Sequence, residues 1–176
     1  RTITCGARVI IPSMMSKVMG SSAAPLGKAL DTHTLPGDLD LRELRGFAFG
    51  PDGDLYVANA YKDASQVLRF AGRPGADGKH AFQEIYAEQH KANPGLAHPF
   101  DVAFGPDGML YVSIGSTCNA CNESNAENAT ILRMSPDGES RTIFASGLRN
   151  TIGFDWHPQT GELWSFDHGI DFLGDD

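Results

Sequence analysis

Apolar and polar residues alternate in three segments of this chain that share one pattern. The segments are 47-FAFGPDGDLYVANA-60, 102-VAFGPDGMLYVSIG-115 and 154-FDWHPQTGELWSFD-167. In the first two, Gly-Pro-Asp-Gly separates two alternating runs. These residue types favour a tight turn, because proline presets φ and glycine tolerates a positive φ. Each segment is therefore predicted to form a β-hairpin.

The hairpin pattern recurs at a regular spacing. Phe49, Phe104 and Trp156 hold equivalent places, so the repeat is 55 and then 52 residues long. Each of the first two hairpins is followed by two more strand-like runs, at 66–71 and 82–88 and at 130–135 and 140–146. A hairpin plus two strands makes a four-stranded unit, and repeats of this length are typical of propeller blades. The predicted fold class is all-β, a partial β-propeller of about three blades of four-stranded antiparallel sheet.

The blades are expected at residues 46–97, 98–146 and, in part, 147–176, whereas the segment 1–45 shows no clear pattern. A propeller ring needs roughly four to eight blades. We therefore expect the chain to be a fragment of a longer propeller ring, and a ring completed by self-association is the alternative. Trp156 and Trp164 are expected to pack between blades.

Charge and hydropathy narrow the range of partners. The formal net charge is −8 and the sequence pI is about 5.1. An acidic surface is repelled by phosphate backbones and by anionic lipids, which disfavours nucleic acid or such a membrane as a partner. No run of about 18 apolar residues is present, so the sequence predicts no membrane-spanning helix.

A polar loop with a Cys-x-x-Cys pair, 115-GSTCNACNESNAENAT-130, separates two strand-like runs. A zinc site needs further thiolates or imidazoles, and Cys5 is the one cysteine left. A thioredoxin-like redox pair sits at a helix N-terminus, which this loop does not offer. A local disulfide between Cys118 and Cys121 is the favoured interpretation. Such a bond indicates an oxidising compartment and therefore a periplasmic or secreted protein.

From about residue 106 onward, three segments of the chain are informative: 109-MLYVSIGSTCNACNE-123, 144-FASGLRNTIGFDWHPQTGELW-164 and 167-DHGIDFLGDD-176. They resemble the soluble glucose and sorbosone dehydrogenases that depend on pyrroloquinoline quinone (PQQ). The resemblance implies a six-bladed propeller with the quinone over the central channel, held together with a calcium ion. Carried over by position, it implies that Arg149 and Asn150 bind the cofactor. It also implies that the calcium ion is held by Gly169, Ile170, Asp175 and Asp176.

The resemblance is weaker at the position of the catalytic base. The family uses a histidine eight residues before the hairpin glycine, and this position is Ala97 here. His98 lies one residue later and is the candidate base, although a shift of one residue along a strand reverses the direction of the side chain. Ser116 stands where the resemblance implies an orienting aspartate, and Ile152 where it implies a glutamine that contacts the quinone.

Two functions from different classes follow. The first is a quinoprotein-like oxidoreductase fragment that oxidises a sugar or alcohol by hydride transfer to PQQ. The second is a non-catalytic propeller module that binds a protein or glycan, because residues 46–105 are more similar to NHL-repeat propellers. Arg149 and Asn150 favour the first function, and Ala97 and Ser116 favour the second. The fold by itself decides neither.

Overall fold

The computed structural model describes residues 30, 35–37, 39, 41, 43–60, 65–88, 96–136 and 140–171. Within these ranges no helix is present, and thus no helix that could cross a membrane. The secondary structure consists of the strands β1 (Leu44–Phe49), β2 (Leu55–Asn59), β3 (Gln66–Phe70), β4 (Phe82–Glu88), β5 (Pro99–Phe104), β6 (Leu110–Ile114), β7 (Thr130–Met134), β8 (Arg141–Ser146), β9 (Asn150–Trp156) and β10 (Leu163–His168).

The strands pair with their sequence neighbours into antiparallel sheets. One sheet has the order β1-β2-β3-β4, a second has the order β5-β6-β7-β8, and β9 pairs with β10. The all-β class and the partial propeller are therefore confirmed. Three parts of the prediction lie outside the described residues: most of the N-terminal segment (1–29), the end of the first blade (89–95) and the end of the partial third blade (172–176).

The Gly-Pro-Asp-Gly segments form the predicted turns. Gly53 lies at a φ of 84° and Gly108 at a φ of 74°, a conformation that favours glycine. The N–H of Gly53 donates to the carbonyl of Gly50 at 2.9 Å, and the turn in the second sheet has the same bond between Gly108 and Gly105. Both hairpins therefore have the same backbone geometry.

In the first two hairpins the turn aspartate bonds to side chains of the neighbouring strands. Asp52 accepts a hydrogen bond from the Tyr56 hydroxyl at 2.9 Å and forms an ion pair with Arg69 at 2.8 Å. Burial raises the pKa of the Tyr56 phenol, and the hydrogen bond to the Asp52 carboxylate raises it further. The second sheet repeats this cluster with Asp107, Tyr111 and Arg133. The repeat thus extends from the hydrophobic pattern to the polar contacts.

The central strands of each sheet supply the core. Every residue of β2 and of β6 is buried, whereas every residue of β4 and of β8 is exposed or half-buried. One core cluster contains residues from both four-stranded sheets, among them Tyr56, Leu110 and Leu132. Removing apolar surface of this kind from water is the main favourable term for packing one blade on the next.

The expectation for the two tryptophans was half right. Trp156 packs edge-on against Tyr111 of the preceding blade, with 4.9 Å between ring centroids. Trp164 is wrong as a packing residue, because it is 66% exposed. It lies on β10, which pairs with β9 and with no other strand in the described part of the chain. No sheet face therefore covers it there.

Asp101 lies where the innermost strands β1, β5 and β9 meet. Its carboxylate accepts a hydrogen bond from the N–H of Phe154 on β9 at 3.1 Å. Gly46 of β1 leaves it room, since a Cβ at Gly46 would stand 2.2 Å from Asp101 Oδ1. Only glycine allows this approach, and the carboxylate therefore contacts two neighbouring blades from its own.

Burial raises the pKa of Asp101 to about 6, although the N–H groups of Phe154 and Val102 lower it. The charge of Asp155 adds to the rise. In the native state Asp101 thus keeps its proton up to about pH 6, whereas its ordinary pKa is 3.8. Between these values the native state binds more protons than the unfolded chain, and stability falls as the pH rises.

We expect Asp101→Asn to abolish this loss. Asparagine keeps an acceptor oxygen for the Phe154 N–H and cannot ionise. The difference between pKa values of about 6 and 3.8 corresponds to about 3 kcal/mol. The variant should therefore exceed the wild type in free energy of unfolding by up to about 3 kcal/mol at pH 7 and match it near pH 3.5. Urea unfolding at both pH values measures this, and a difference independent of pH would contradict it.

Candidate functional site

Those candidate site residues that the structure describes come together at one edge of the sheets. Because the strands are antiparallel, β6, β8 and β10 end at the same edge at which β7 and β9 begin. The loop 115–129 between β6 and β7 therefore lies beside the connection 147–149 and the segment 168–171. The carbonyl of Ala129 accepts a hydrogen bond from Leu148 N–H at 3.2 Å, which joins the loop to the next blade.

Arg149 is the centre of the polar contacts at this edge. Its guanidinium pairs with both carboxylate oxygens of Asp171, at 2.8 and 3.2 Å. The same group donates to the carbonyl of Gly169 at 2.9 Å and more weakly to that of His168 at 3.4 Å. Its backbone N–H donates to the carboxylate of Asp167 at 3.2 Å. Arg149 is thus held at both its backbone and its side chain.

Within the described residues, the guanidinium of Arg149 retains an unused donor, at Nε. Arg149 Nε is buried and makes no hydrogen bond to any residue in the described ranges. A buried donor without a partner is unfavourable, and an added acceptor such as a carboxylate would remove that cost. The guanidinium therefore has the chemistry to bind a carboxylated ligand.

Asn150 begins β9 and faces the loop 115–129. Its Oδ1 accepts a hydrogen bond from Ser116 N–H at 3.1 Å, while its Nδ2 makes none to the described part of the chain. Gly115 makes this contact possible, because a Cβ there would stand 2.7 Å from Asn150 Oδ1 and 2.5 Å from the Phe100 ring. The Nδ2 group of Asn150, which carries two N–H donors, thus remains for a ligand.

Of the residues that the resemblance assigns to calcium, the structure describes Gly169 and Ile170. Gly169 directs its carbonyl to Arg149, so that carbonyl already has a cationic partner. Ile170 follows it and is 45% exposed. Asp175 and Asp176 lie outside the described residues. Asp171 is the carboxylate that the structure brings to the Gly169 carbonyl, and it pairs with Arg149.

The candidate base also lies near this edge. The carbonyl of His98 accepts the Gly115 N–H at 3.0 Å, directly before Ser116. Ala97 N–H donates to Asn128 Oδ1 at 2.7 Å, so the backbone before β5 is fastened to the loop 115–129. His98 is partly exposed. Its backbone is therefore well positioned, and its role as a base remains a prediction.

His168 ends β10, and its side chain is 65% exposed. Its Nε2 lies 3.6 Å from Asp171 Oδ1. It therefore adds a second ionisable partner to the carboxylate that holds Arg149.

Cys118 and Cys121 form the expected disulfide. Their sulfur atoms lie within 4.8 Å of a carboxylate oxygen of Glu123, a grouping that resembles a metal site. Metal binding at such a site uses thiolates, and sulfurs joined in a disulfide are not thiolates. The disulfide instead closes a short ring in the loop.

Glu123, which the sequence interpretation missed, holds the base of this loop. Its carboxylate accepts hydrogen bonds from the Ser116 hydroxyl, from the N–H and hydroxyl of Thr117 at 2.8 and 2.6 Å, and from Asn128 Nδ2 at 3.2 Å. Burial by itself raises the pKa of Glu123, but these bonds outweigh it and the pKa lies below 4.5. No local pattern marks the residue, because its partners come from both ends of the loop.

The loop ends in a strained residue. Ala129 has a φ of 56°, the left-handed region that costs a residue with a Cβ about 1 kcal/mol. Its N–H donates to the carbonyl of Gly115 at 3.0 Å. The Glu123 contacts and this bond therefore keep the loop in a conformation that its backbone does not favour.

Comparisons with known proteins show the family of this chain. The sequence model of the family described as Glucose / Sorbosone dehydrogenase matches residues 58–175, well over half of the chain. The chain belongs to the glucose/sorbosone dehydrogenase family. An uncharacterized protein of Borreliella burgdorferi is 40% identical over 69 residues, which are 39% of this chain and 18% of that protein. The matched part is therefore a small share of that relative's length.

The match confirms the resemblance that the sequence predicted from residue 106 and extends it toward the N-terminus. It begins at residue 58 and includes Arg149, Asn150 and Gly169. It thus takes in most of the range 46–105, for which the sequence predicted a similarity to NHL-repeat propellers. That second similarity stays a prediction.

We expect Glu123→Gln to loosen the loop. Glutamine keeps one acceptor oxygen but loses the charge, so the free energy of unfolding should fall by about 1–3 kcal/mol at pH 7. The contribution of a carboxylate whose pKa is lowered is present above 4.5 and is lost as the pH falls through the native pKa. The difference from wild type, measured by urea unfolding, should therefore shrink on acidification. The control is Asn122→Ala, a change at an exposed loop residue. A constant difference would contradict the assignment.

Proposed function

We propose that this chain is part of a PQQ-dependent dehydrogenase that oxidises a sugar or another alcohol. The observation that carries the proposal is the convergence of Arg149, Asn150 and the Gly169 carbonyl at one sheet edge. These are the residues that the family resemblance assigns to the cofactor and its calcium ion. Membership of the glucose/sorbosone dehydrogenase family supports the same activity.

The donors and acceptors at this edge fit such a cofactor. Arg149, with its unused Nε, and Asn150, with its unused amide donor, would hold the carboxylates and oxygens of the quinone. Carbonyl and carboxylate oxygens are the ligands that calcium prefers, and Gly169, Ile170 and Asp171 supply them in sequence. When bound, PQQ supplies the acceptor for the hydride that leaves the substrate.

Arg149 has to change partners for this site to form fully. Its guanidinium donates hydrogen bonds to the Gly169 carbonyl and the Asp171 carboxylate, which are the oxygens that a calcium ion would use. A guanidinium and a divalent cation cannot share these oxygens at close range, because like charges repel. We infer that Arg149 releases them when it binds a carboxylated ligand.

His98 is proposed to remove the proton of the substrate hydroxyl. Its backbone is hydrogen-bonded to Gly115, and Ser116 in turn contacts Asn150. This chain of contacts supports a location next to the residues proposed to bind the cofactor. A general base must come within hydrogen-bond reach of the proton that it removes, and the His98 side chain is partly exposed.

A second candidate function is a non-catalytic module that binds a protein or a glycan. The observation in its favour is that Arg149, Asp171 and the Gly169 carbonyl satisfy one another. Ala97 and Ile152 stand where the resemblance implies a base and a cofactor contact. Both functions agree with export to the periplasm or outside the cell, which the Cys118–Cys121 disulfide supports.

We expect the chain to bind PQQ in the presence of calcium. Loss of the charged hydrogen bonds in Arg149→Met should weaken binding about tenfold or more, because such bonds contribute about 1.5–3 kcal/mol. Equilibrium dialysis and the absorbance of the quinone measure this. Arg73→Met, a change at an exposed arginine away from the site, is the matched control. Absence of binding, or equal binding by both variants, would refute the quinoprotein proposal and favour the binding module.

We expect His98→Gln to lower the turnover of aldoses, followed by dye reduction, about a hundredfold or more. The affinity for PQQ should stay unchanged, because the side chain is proposed to act on the substrate. Undiminished turnover in this variant would exclude His98 as the base.

A further inference from the structure

Asn119 connects the disulfide ring to the segment after β10. Its side-chain Nδ2 donates to the carbonyl of Asp171 at 3.1 Å, and its Oδ1 accepts the N–H of Asp171 at 2.8 Å. Two reciprocal bonds between one amide side chain and one backbone residue fix both distance and orientation. Asn119 is therefore the loop residue that sets where Asp171 lies.

Asp171 passes this position on to Arg149. Both of its carboxylate oxygens pair with the guanidinium, at 3.2 and 2.8 Å. Paired contacts of this kind determine the plane of the guanidinium as well as its location. A shift of the Asp171 backbone would accordingly move the Arg149 side chain.

The disulfide makes an exposed residue rigid enough for this role. Asn119 and Ala120 are both exposed and lie between the linked Cys118 and Cys121. An open loop of exposed residues samples many conformations, whereas a covalent ring removes most of them. The ring is also tied at its base, where the Cys118 N–H donates to the Ser116 hydroxyl oxygen at 3.2 Å. The ring thus presents Asn119 in one orientation.

We propose that the Cys118–Cys121 ring positions Arg149 through Asn119 and Asp171. Asn119 is a positioning residue, because it acts on Arg149 only by way of Asp171. The structural part of this inference needs no ligand. Its consequence for cofactor affinity rests on the proposed function, in which Arg149 binds the quinone.

The test begins with the reactivity of Arg149. Phenylglyoxal modifies accessible guanidinium groups, and peptide mass spectrometry gives the rate at each arginine, with the exposed Arg73 as internal reference. We expect Asn119→Ala to raise the rate at Arg149 about threefold to tenfold, because both bonds to Asp171 are lost. Asn119→Asp retains one acceptor for the Asp171 N–H and should give an intermediate rate.

Further variants separate the relay from a general loosening. Replacing both Cys118 and Cys121 by Ser should raise the rate at Arg149 as Asn119→Ala does. Asn122→Ala should leave it unchanged, because Asn122 is exposed in the same loop and makes no hydrogen bond to the described residues. Hydrogen exchange of the Asp171 amide should quicken in Asn119→Ala and in the double Cys→Ser variant, and it should stay unchanged in Asn122→Ala.

The outcomes distinguish this inference from the proposed function. An unchanged Arg149 rate in Asn119→Ala, or an equal rise in Asn122→Ala, would overturn the relay. A changed rate together with PQQ affinity changed severalfold would support the relay and its role in the cofactor site, because Arg149 exchanges the Asp171 carboxylate for the ligand. A changed rate in a chain that binds no PQQ would uphold the relay and refute the proposed function.

Discussion

The packing of inner strands against one another is the constraint on which the rest of this structure depends. Each four-stranded sheet has central strands that are buried on both faces, so a single blade cannot cover its own apolar surface. Packing blade on blade brings β1, β5 and β9 together, and one core cluster contains residues of both complete sheets. Because every blade is antiparallel, this packing also brings equivalent loops to one edge. The candidate site is a consequence of that arrangement.

Polar groups at the same contacts serve a different purpose. Asp101 is half-buried among three blades in spite of its charge, and Glu123 accepts hydrogen bonds within a loop that ends in a strained Ala129. Arg149 is paired with Asp171 while its Nε has no partner among the described residues. Buried or strained polar groups of this kind are common at binding sites, because a site arranged for a ligand is not at its most stable without one. The edge at 115–129, 147–150 and 168–171 has that character, in contrast to the apolar core.

Much of the fold could be predicted from local patterns. Alternation gave the strands, and Gly-Pro-Asp-Gly gave the turns with glycine at positive φ. The disulfide followed from the spacing of Cys118 and Cys121 together with the absence of further metal ligands. Trp164 shows the limit of such reasoning: an aromatic residue in a repeat was expected to be covered, yet its exposure depends on which strands lie beside β10. Neighbouring strands are not encoded in the residue itself.

The sequence by itself determined the class of the fold, the family, and the residue types at the candidate site, because each depends on short segments and their spacing. Only the tertiary structure decided which of those residues face one another. Arg149 and Gly169 were assigned separate partners from the resemblance, yet they contact each other, and Asn119 reaches Asp171 from another blade. Hydrogen bonds join atoms within about 3 Å regardless of their separation along the chain. The backbone path that brings them so close is set by the packing of blades, which no local segment specifies.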